Sequence, residues 1–164
     1  MAQDAAGVCT VLRRTIAECC VQDHQGAPGI LDAWLGNKTT VSVASWISTP
    51  SNYMVVAERD GVVAGAALVN QAGKLSLCYV LPEAQACGLG TAMLAAVEAQ
   101  ARIWGISVIR LHSTGTAQGF FSRAGYLLAG KEKSCYGVEC DFLWKKLDAG
   151  DAAQGAKFCN CKAQ

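Results

Sequence analysis

The sequence has no apolar run of the roughly 20 residues that a membrane-spanning helix requires. Residues Met1 to Thr10 include Asp4 and have no cationic region before an apolar block, so a signal peptide is not expected. Charge of either sign is also scarce, because charged residues make up 16% of the chain and fourteen basic residues nearly balance thirteen acidic ones. This balance does not favour a nucleic-acid-binding or polybasic membrane surface. We therefore expect a cytoplasmic protein without nucleic-acid or membrane partners.

Convincing metal-site and disulfide patterns are missing too, although the chain has nine cysteines. Structural zinc sites usually combine two short Cys or His pairs. Here the short pairs are Cys135-x4-Cys140 and Cys159-x-Cys161, and the sequence has two histidines. The cysteine count is odd, and Cys78 lies in an apolar segment, where a buried thiol behaves as a small hydrophobe. We expect no disulfide framework and no metal.

The 164 residues, 52% of them hydrophobic, suit one compact domain, which we assign to residues 1–147. Residues 148–164 are rich in Ala, Gly and polar residues, and form a tail whose order the sequence does not determine. Within the domain, hydrophobic periodicity and turn residues predict helices at 11–22, 30–35, 88–104 and 116–124, and strands at 54–58, 62–69, 75–81, 106–111, 126–129 and 138–143. Gly65 indicates a bulge in the second strand, and 39–51 is read as a short helix or loop beside a cleft. This order predicts an α/β fold with a sheet of mixed direction.

The most informative segment runs from Gln85 to Thr91, between a strand that ends at Pro82 and an amphipathic helix. The first amides of a helix have no partners within the helix, and glycines allow an anion to approach them closely. A dinucleotide fingerprint requires a third glycine where this chain has Met93, and a Walker loop requires a G-K-(S/T) ending that is absent. A Gly-x-Gly turn also occurs where a helix simply packs closely on a sheet. The segment therefore predicts either an anion site of another kind or a packing turn.

The segment Gln85-Ala86-Cys87-Gly88-Leu89-Gly90 resembles the (R/Q)-x-x-G-x-(G/A) motif of the GNAT family of N-acetyltransferases. The preceding Tyr79-Val80-Leu81-Pro82 also matches the family. Downstream, Ala117 to Tyr126 is similar to the family pattern A-x-x-(F/L)-Y-x-x-x-G-(F/Y). The resemblance in element order extends from Val11 to Leu147. It is weakest over the first 50 residues, where the family's first strand is expected to be shortened or missing.

The resemblance implies a GNAT-like α/β fold: a mixed, mostly antiparallel sheet with one splayed parallel strand pair, flanked by helices. The splayed pair would be 75–81 and 106–111, and would hold acetyl-CoA as acyl donor. The implied cofactor-binding residues are Tyr79, Val80, Leu81, Gln85, Ala86, Cys87, Gly88, Leu89, Gly90, Thr91, Phe120 and Phe121. Backbone near the first three would bind the pantetheine arm, amides of the turn would bind the pyrophosphate, and the two phenylalanines would flank the arm and thioester.

The implied reaction is direct attack of a primary amine, on a small molecule or a peptide, on the thioester in a ternary complex. An alkylammonium group with a pKa near 10 must first lose a proton. The candidate bases are Glu83, Glu58 and Tyr79, or an ordered-water relay. A backbone amide near Val80 would stabilise the oxyanion.

Many relatives carry a tyrosine, as general acid, where this chain has Phe121. Phenylalanine cannot donate a proton, so the alternatives are water, Tyr126 or Tyr136 as donor, or slow turnover. The substitution also suggests an alternative function: a catalytically weak acyl-CoA-binding regulatory module. A covalent role for Cys78 is a minor alternative. A homodimer is the assembly that we expect.

Overall fold

The computed structural model describes residues 2–147, so the predicted tail, with Cys159 and Cys161, lies outside the described residues. The helices are α1 (Ala5–Cys19), α2 (Val21–His24), α3 (Pro28–Leu35), α4 (Thr40–Ser48), α5 (Leu89–Ile103) and α6 (Gly115–Arg123). The strands are β1 (Asn52–Arg59), β2 (Val62–Asn70), β3 (Leu75–Val80), β4 (Val108–Ser113), β5 (Leu127–Lys133) and β6 (Glu139–Lys146). Short 3-10 turns span Ala2–Asp4 and Pro82–Ala84. Within this part of the chain, no helix is both long and apolar enough to cross a membrane.

The strands form two antiparallel halves, in the orders β1-β2-β3 and β4-β6-β5. In the first half, Ala57 pairs with Gly65 and Glu58 pairs with Val63, so Ala64 is the extra residue of a bulge. The predicted bulge therefore lies directly beside Gly65, as expected from the glycine.

The two halves meet where β3 runs parallel to β4. They are joined by a bridge between Lys74 and Arg110, and the Arg110 amide donates to the Gly73 carbonyl over 2.9 Å. A Cβ on Gly73 would lie 2.6 Å from the Val108 carbonyl oxygen, so this approach requires glycine. Apart from this isolated bridge, β3 and β4 are not paired in residues 2–147 and belong to different halves of the sheet. The strands consequently diverge beyond the bridge, which confirms the predicted mixed sheet with a splayed parallel pair.

Alternate residues of β2 point to two different helical layers. Ala67 and Val69 join the main core, which is formed by α5, β4 and β6. Ala66 and Leu68 pack instead against α1 and α4. The period of two along a strand thus buries β2 on both faces and fixes helices on both sides of the sheet.

The structure corrects several predicted boundaries. Helix α1 begins at Ala5, six residues before the predicted start, because the apolar stripe continues through Ala5 and Val8. The ambiguous 39–51 segment contains α4, whose first turn is capped by Thr39 accepting a hydrogen bond from the Ser42 amide. Among the described residues no strand precedes α1. These differences lie in the N-terminal third, where the sequence pattern was weakest.

Candidate active site

A cavity of about 750 Å³ opens between the diverging ends of β3 and β4. Its walls are these two strands, the end of α1, the turn before α5 and one side of α6. The side chains and backbone that line it include Thr15, Cys19, Cys20, Cys78, Tyr79, Val80, Gln85, Gly88, Gly90, His112, Thr114, Phe120, Phe121 and Arg123. The volume lies in the range typical of sites for small molecules and cofactors.

The turn before α5 presents a row of free amides at this cavity. Ala86 and Gly88 have left-handed backbones, with φ of 58° and 87°. The first amide with a backbone partner is that of Ala92, which donates to the Gly88 carbonyl over 3.0 Å. Within the described residues, the six amides from Ala86 to Thr91 donate to no acceptor. Successive free amides at the positive end of a helix, here one of 15 residues, are an arrangement that favours the approach of an anion.

Gln85 holds this turn against the neighbouring elements. Its Nε2 donates to the Val80 carbonyl over 3.3 Å and to Cys19 Sγ over 3.2 Å. Thr15 Oγ1 donates to the same Val80 carbonyl over 3.1 Å. The side chain of Gln85 therefore links the turn to β3 and α1.

The two phenylalanines of α6 occupy different environments. Phe120 is half-buried, and two of its ring carbons lie 3.4 Å from the position of a Cβ on Gly90. Phe121 is only 5% exposed and packs edge-to-face on Tyr126, with 5.6 Å between ring centroids. Phe120 thus borders the turn, whereas most of the Phe121 ring lies in the core and an edge of it reaches the cavity.

The family model described as the acetyltransferase (GNAT) domain matches residues 31–140, well over half of the chain. This chain belongs to the GNAT acetyltransferase family. A curated protein of Bacillus subtilis (strain 168) is named as an acetyltransferase by inference, and it is 30% identical to this chain over 98 residues. The aligned part covers 58% of this chain and 67% of that protein.

Solved structures agree with the GNAT fold. A GCN5-related N-acetyltransferase from Rhodopseudomonas palustris superposes with a TM-score of 0.80 and 20% sequence identity. The superposition covers 90% of this chain and 92% of that protein's chain. The PaiA N-acetyltransferase from Thermoplasma acidophilum, solved in complex with coenzyme A, has a TM-score of 0.71 and 18% identity, covering 88% of this chain and 94% of its own. Both likenesses show the fold.

Glu83, a predicted base of this GNAT domain, does not lie in the cavity. Its carboxylate forms an ion pair with Arg14, with distances of 2.7 and 3.2 Å, and its side chain is 58% exposed. The hydrogen bonds from Arg14 hold the pKa of Glu83 below its usual value. A carboxylate that is outside the cavity and stabilised in its ionised form is a poor proton acceptor for the reaction. Glu58, the other carboxylate considered, is exposed and also lies outside the lining.

Tyr126, a predicted proton donor, is likewise absent from the cavity lining. It is 2% exposed, and its hydroxyl donates to Glu98 Oε1 over 3.1 Å. Lys145 Nζ donates to both Glu98 oxygens over 2.9 Å, so this network joins α5 to β6. Burial, followed by the charge of Glu98, raises the pKa of Tyr126. Tyr136, whose hydroxyl accepts from Asn37 over 2.9 Å, is also outside the lining.

Tyr79 is the predicted catalytic side chain that the fold brings to the cavity. Burial raises the pKa of its phenol, so the side chain stays protonated at neutral pH. Tyr79 is therefore unsuited to act as the base, and the raised pKa also makes its phenol a weaker acid than a free tyrosine.

Two of the cysteines at the cavity, Cys20 and Cys78, are protonated thiols. Burial raises the pKa of both Cys78 and Cys20 to about 12. Since the thiolate is the nucleophile, Cys78 is a weak candidate for a covalent acyl carrier. The seven cysteines in the described part of the chain are free, and no group of three or more His, Cys, Asp or Glu residues there could hold a metal ion.

Sequence reasoning missed two polar cavity residues, Arg123 and His112. Arg123 lies inside the second motif, three residues before its final Tyr126, and is the one cationic side chain of the described lining. His112 follows Leu111, which is buried, on β4. Buried and exposed residues alternate along this strand, so the alternation places the His112 side chain on the exposed side, and this was the signal available in the sequence.

Proposed function

We propose that this protein is an acetyl-CoA-dependent N-acetyltransferase, in which a primary amine attacks the thioester directly in a ternary complex. The observation that carries the proposal is the row of six free amides from Ala86 to Thr91 at the edge of the cavity between β3 and β4. Family membership supports acetyl transfer. The coenzyme A complex of the PaiA relative supports the choice of donor.

The diphosphate of the donor accepts hydrogen bonds from the amides of the turn, with Gly88 and Gly90 leaving room for its approach. Arg123 supplies the positive charge that Gln85, a neutral residue, does not. The pantetheine arm lies in the slot between β3 and β4, beside the backbone of Tyr79 to Leu81. Phe120 flanks the arm. The residues present fit this donor, because the turn with the free amides lines the same cavity as β3 and β4.

Three features of the chain serve the chemical step. The backbone amide near Val80 stabilises the negative charge that develops on the carbonyl oxygen, an effect worth about 3–4 kcal/mol where such donors have been removed. Tyr79, a residue of the cavity lining, serves as a hydrogen-bond donor to the departing sulfur. A thiol pKa near 8.5 makes that sulfur a tolerable leaving group even without strong acid assistance. The reaction can therefore proceed although Phe121 cannot donate a proton.

One observation favours a second candidate function. Phe121 is largely buried and has no acidic proton, so a catalytically weak acyl-CoA-binding regulatory module would preserve the turn and lack the acid. The cytoplasmic location, the homodimer and the identity of the amine stay predictions.

Calorimetry with coenzyme A and turnover with acetyl-CoA test the two candidates. Loss of thioester absorbance should be followed, because nine cysteines would react with a thiol reagent. We expect binding, and turnover with at least one member of a panel of small amines, amino acids and peptides. Arg123→Gln should weaken coenzyme A binding about 5- to 30-fold, the loss of about 1–2 kcal/mol expected for one charge-assisted hydrogen bond. Binding without turnover across the panel would favour the regulatory module, and absence of binding would refute both.

A further inference from the structure

An imidazole that lines the cavity on the side of β4 is paired with a carboxylate that follows it in the sequence. His112 lines the cavity, and its Nε2 lies 2.7 Å from Glu132 Oε2 on β5. The pair reaches across β6, where the ring of Phe142 lies beside the imidazole with 5.2 Å between ring centroids. The two side chains are 20 residues apart in sequence and meet because β6 pairs with both β4 and β5.

The contact with Glu132 fixes the roles of the two ring nitrogens. An ionised carboxylate only accepts hydrogen bonds, so Nε2 carries the hydrogen. Nδ1 then has the lone pair, and it has no hydrogen-bond partner in the described part of the chain. His112 is thus held in a tautomer whose free nitrogen can take a proton.

The other ionisable groups that line the cavity are not suited to that task. Cys20 and Cys78 have a pKa raised to about 12 by burial, and burial also raises the pKa of Tyr79. Arg123 is a permanent cation with no acceptor. The Cys19 sulfur accepts a hydrogen bond from Gln85 at the turn. Since Glu83 and Glu58 lie outside the lining, the imidazole of His112 is the remaining proton acceptor among the described lining residues.

We propose that His112 is the general base of the acetyl transfer and that Glu132 is its positioning residue; this inference rests on the proposed function. Nδ1 takes a proton from the ammonium group of the acceptor, and the resulting amine forms the C–N bond as the C–S bond breaks. The departing sulfur takes a second nitrogen proton, directly or through Tyr79. Glu132 stabilises the imidazolium, which then releases its proton to solvent. One amide, one thiol and one proton result.

Binding can be tested without turnover, because the protein has two histidines. His24 is 4% exposed and its Nδ1 accepts from the Gly26 amide, so the exposed His112 ring should give a distinct NMR signal. Acetyl-CoA should shift both the His112 ring signal and the amide signals of Gly88 and Gly90. Adenosine 3′,5′-bisphosphate, which lacks the pantetheine arm, should shift the glycine amides and leave His112 unchanged.

The outcomes separate the two proposals. If neither ligand moved the glycine amides, the proposed donor site would be wrong, and the inference with it. If acetyl-CoA moved the amides but not the His112 ring, the donor site would stand and the base would be misassigned. A His112 shift of equal size with the bisphosphate would also overturn the assignment, because it would report a general change.

A matched pair of acceptors tests the proton transfer itself. Ethylamine is protonated at neutral pH, whereas methoxyamine has almost the same size and is neutral, so it needs no base. His112→Gln should reduce turnover with ethylamine about 100-fold or more, the usual scale of general base catalysis, and should change turnover with methoxyamine by less than about threefold. Glu132→Gln should give the same selectivity with a loss of at least about 10-fold. Equal losses with both amines would assign the pair a structural role; if the wild type accepts neither amine, the NMR result decides.

Discussion

Replacing Gly90 by aspartate places a negative charge at the amides that we assign to the diphosphate. Gly90 does not adopt a left-handed φ, unlike Gly88 at 87°, so a side chain at position 90 introduces no backbone strain. A Cβ there meets Phe120 carbons at 3.4 Å and Val80 Cγ2 at 3.7 Å, which are ordinary contacts. An acidic residue in the first turn of a helix also stabilises it by about 0.3–1 kcal/mol. The variant should therefore fold at least as well as the wild type.

The expected loss of affinity follows from Coulomb's law. Two unit charges 4 Å apart repel by about 4 kcal/mol at an effective dielectric constant of about 20. The turn is open to solvent, and salt screens the interaction. If half of the repulsion remains, about 2 kcal/mol, the Kd for coenzyme A rises about 30-fold.

Calorimetry should be carried out on three variants in the same buffer. Gly90→Asn has the shape of aspartate without its charge, and Gly90→Ala adds the Cβ alone. We expect both to keep affinity within about fivefold, equivalent to about 1 kcal/mol. A folded Gly90→Asp variant with wild-type affinity would refute the assignment of the turn. An equal loss in the asparagine variant would attribute the effect to shape.

Three further predictions concern the stability of the fold. Lys145→Met leaves the 8%-exposed Glu98 carboxylate without its main partner, and should lower the free energy of unfolding by about 3 kcal/mol in urea titrations; no change would refute the buried ion pair. Burial lowers the pKa of Lys38 from 10.5 to about 8, so this side chain binds more protons in the unfolded chain between these values. The stability of the wild type relative to Lys38→Met should therefore rise with pH across that window, by up to about 3 kcal/mol before the reduction by solvent screening. The raised pKa values of Cys20 and Cys78 act in the opposite direction but affect both proteins alike, and a stability difference that stays constant with pH would refute the shift of Lys38. Phe121→Tyr places a hydroxyl in a ring packed on Tyr126 and should cost about 1–3 kcal/mol; a variant of wild-type stability with faster turnover would instead place Phe121 in the cleft as the position of the acid.

The sequence predicted the central part of the fold well, from 54 onward, because strands and helices there have clear periods of two and of about 3.6. It located the turn at Gln85–Thr91 as well. Both successes depend on local information: glycine allows the conformation at position 88, and the following apolar stripe specifies α5. The GNAT resemblance rested on the same local segments and is confirmed by the family match.

The catalytic side chains depend on information of a different kind. Glu83 was predicted as a base because it is near the turn in sequence, yet Arg14, 69 residues away, holds it outside the cavity. Tyr126 was predicted as a donor, yet Glu98 and Lys145 bind it in the core.

His112 and Glu132 show the opposite case, since nothing in the sequence pairs them. The composition, the period of each element and the glycine turn were determined by the sequence itself, because backbone sterics and the pairing of free amides act over a few residues. Which phenol and imidazole reach the cavity, and that Glu83 and Glu58 do not, was decided only by the tertiary structure. That choice depends on the divergence of β3 from β4 and on the β4-β6-β5 pairing, which bring together side chains that are far apart along the chain.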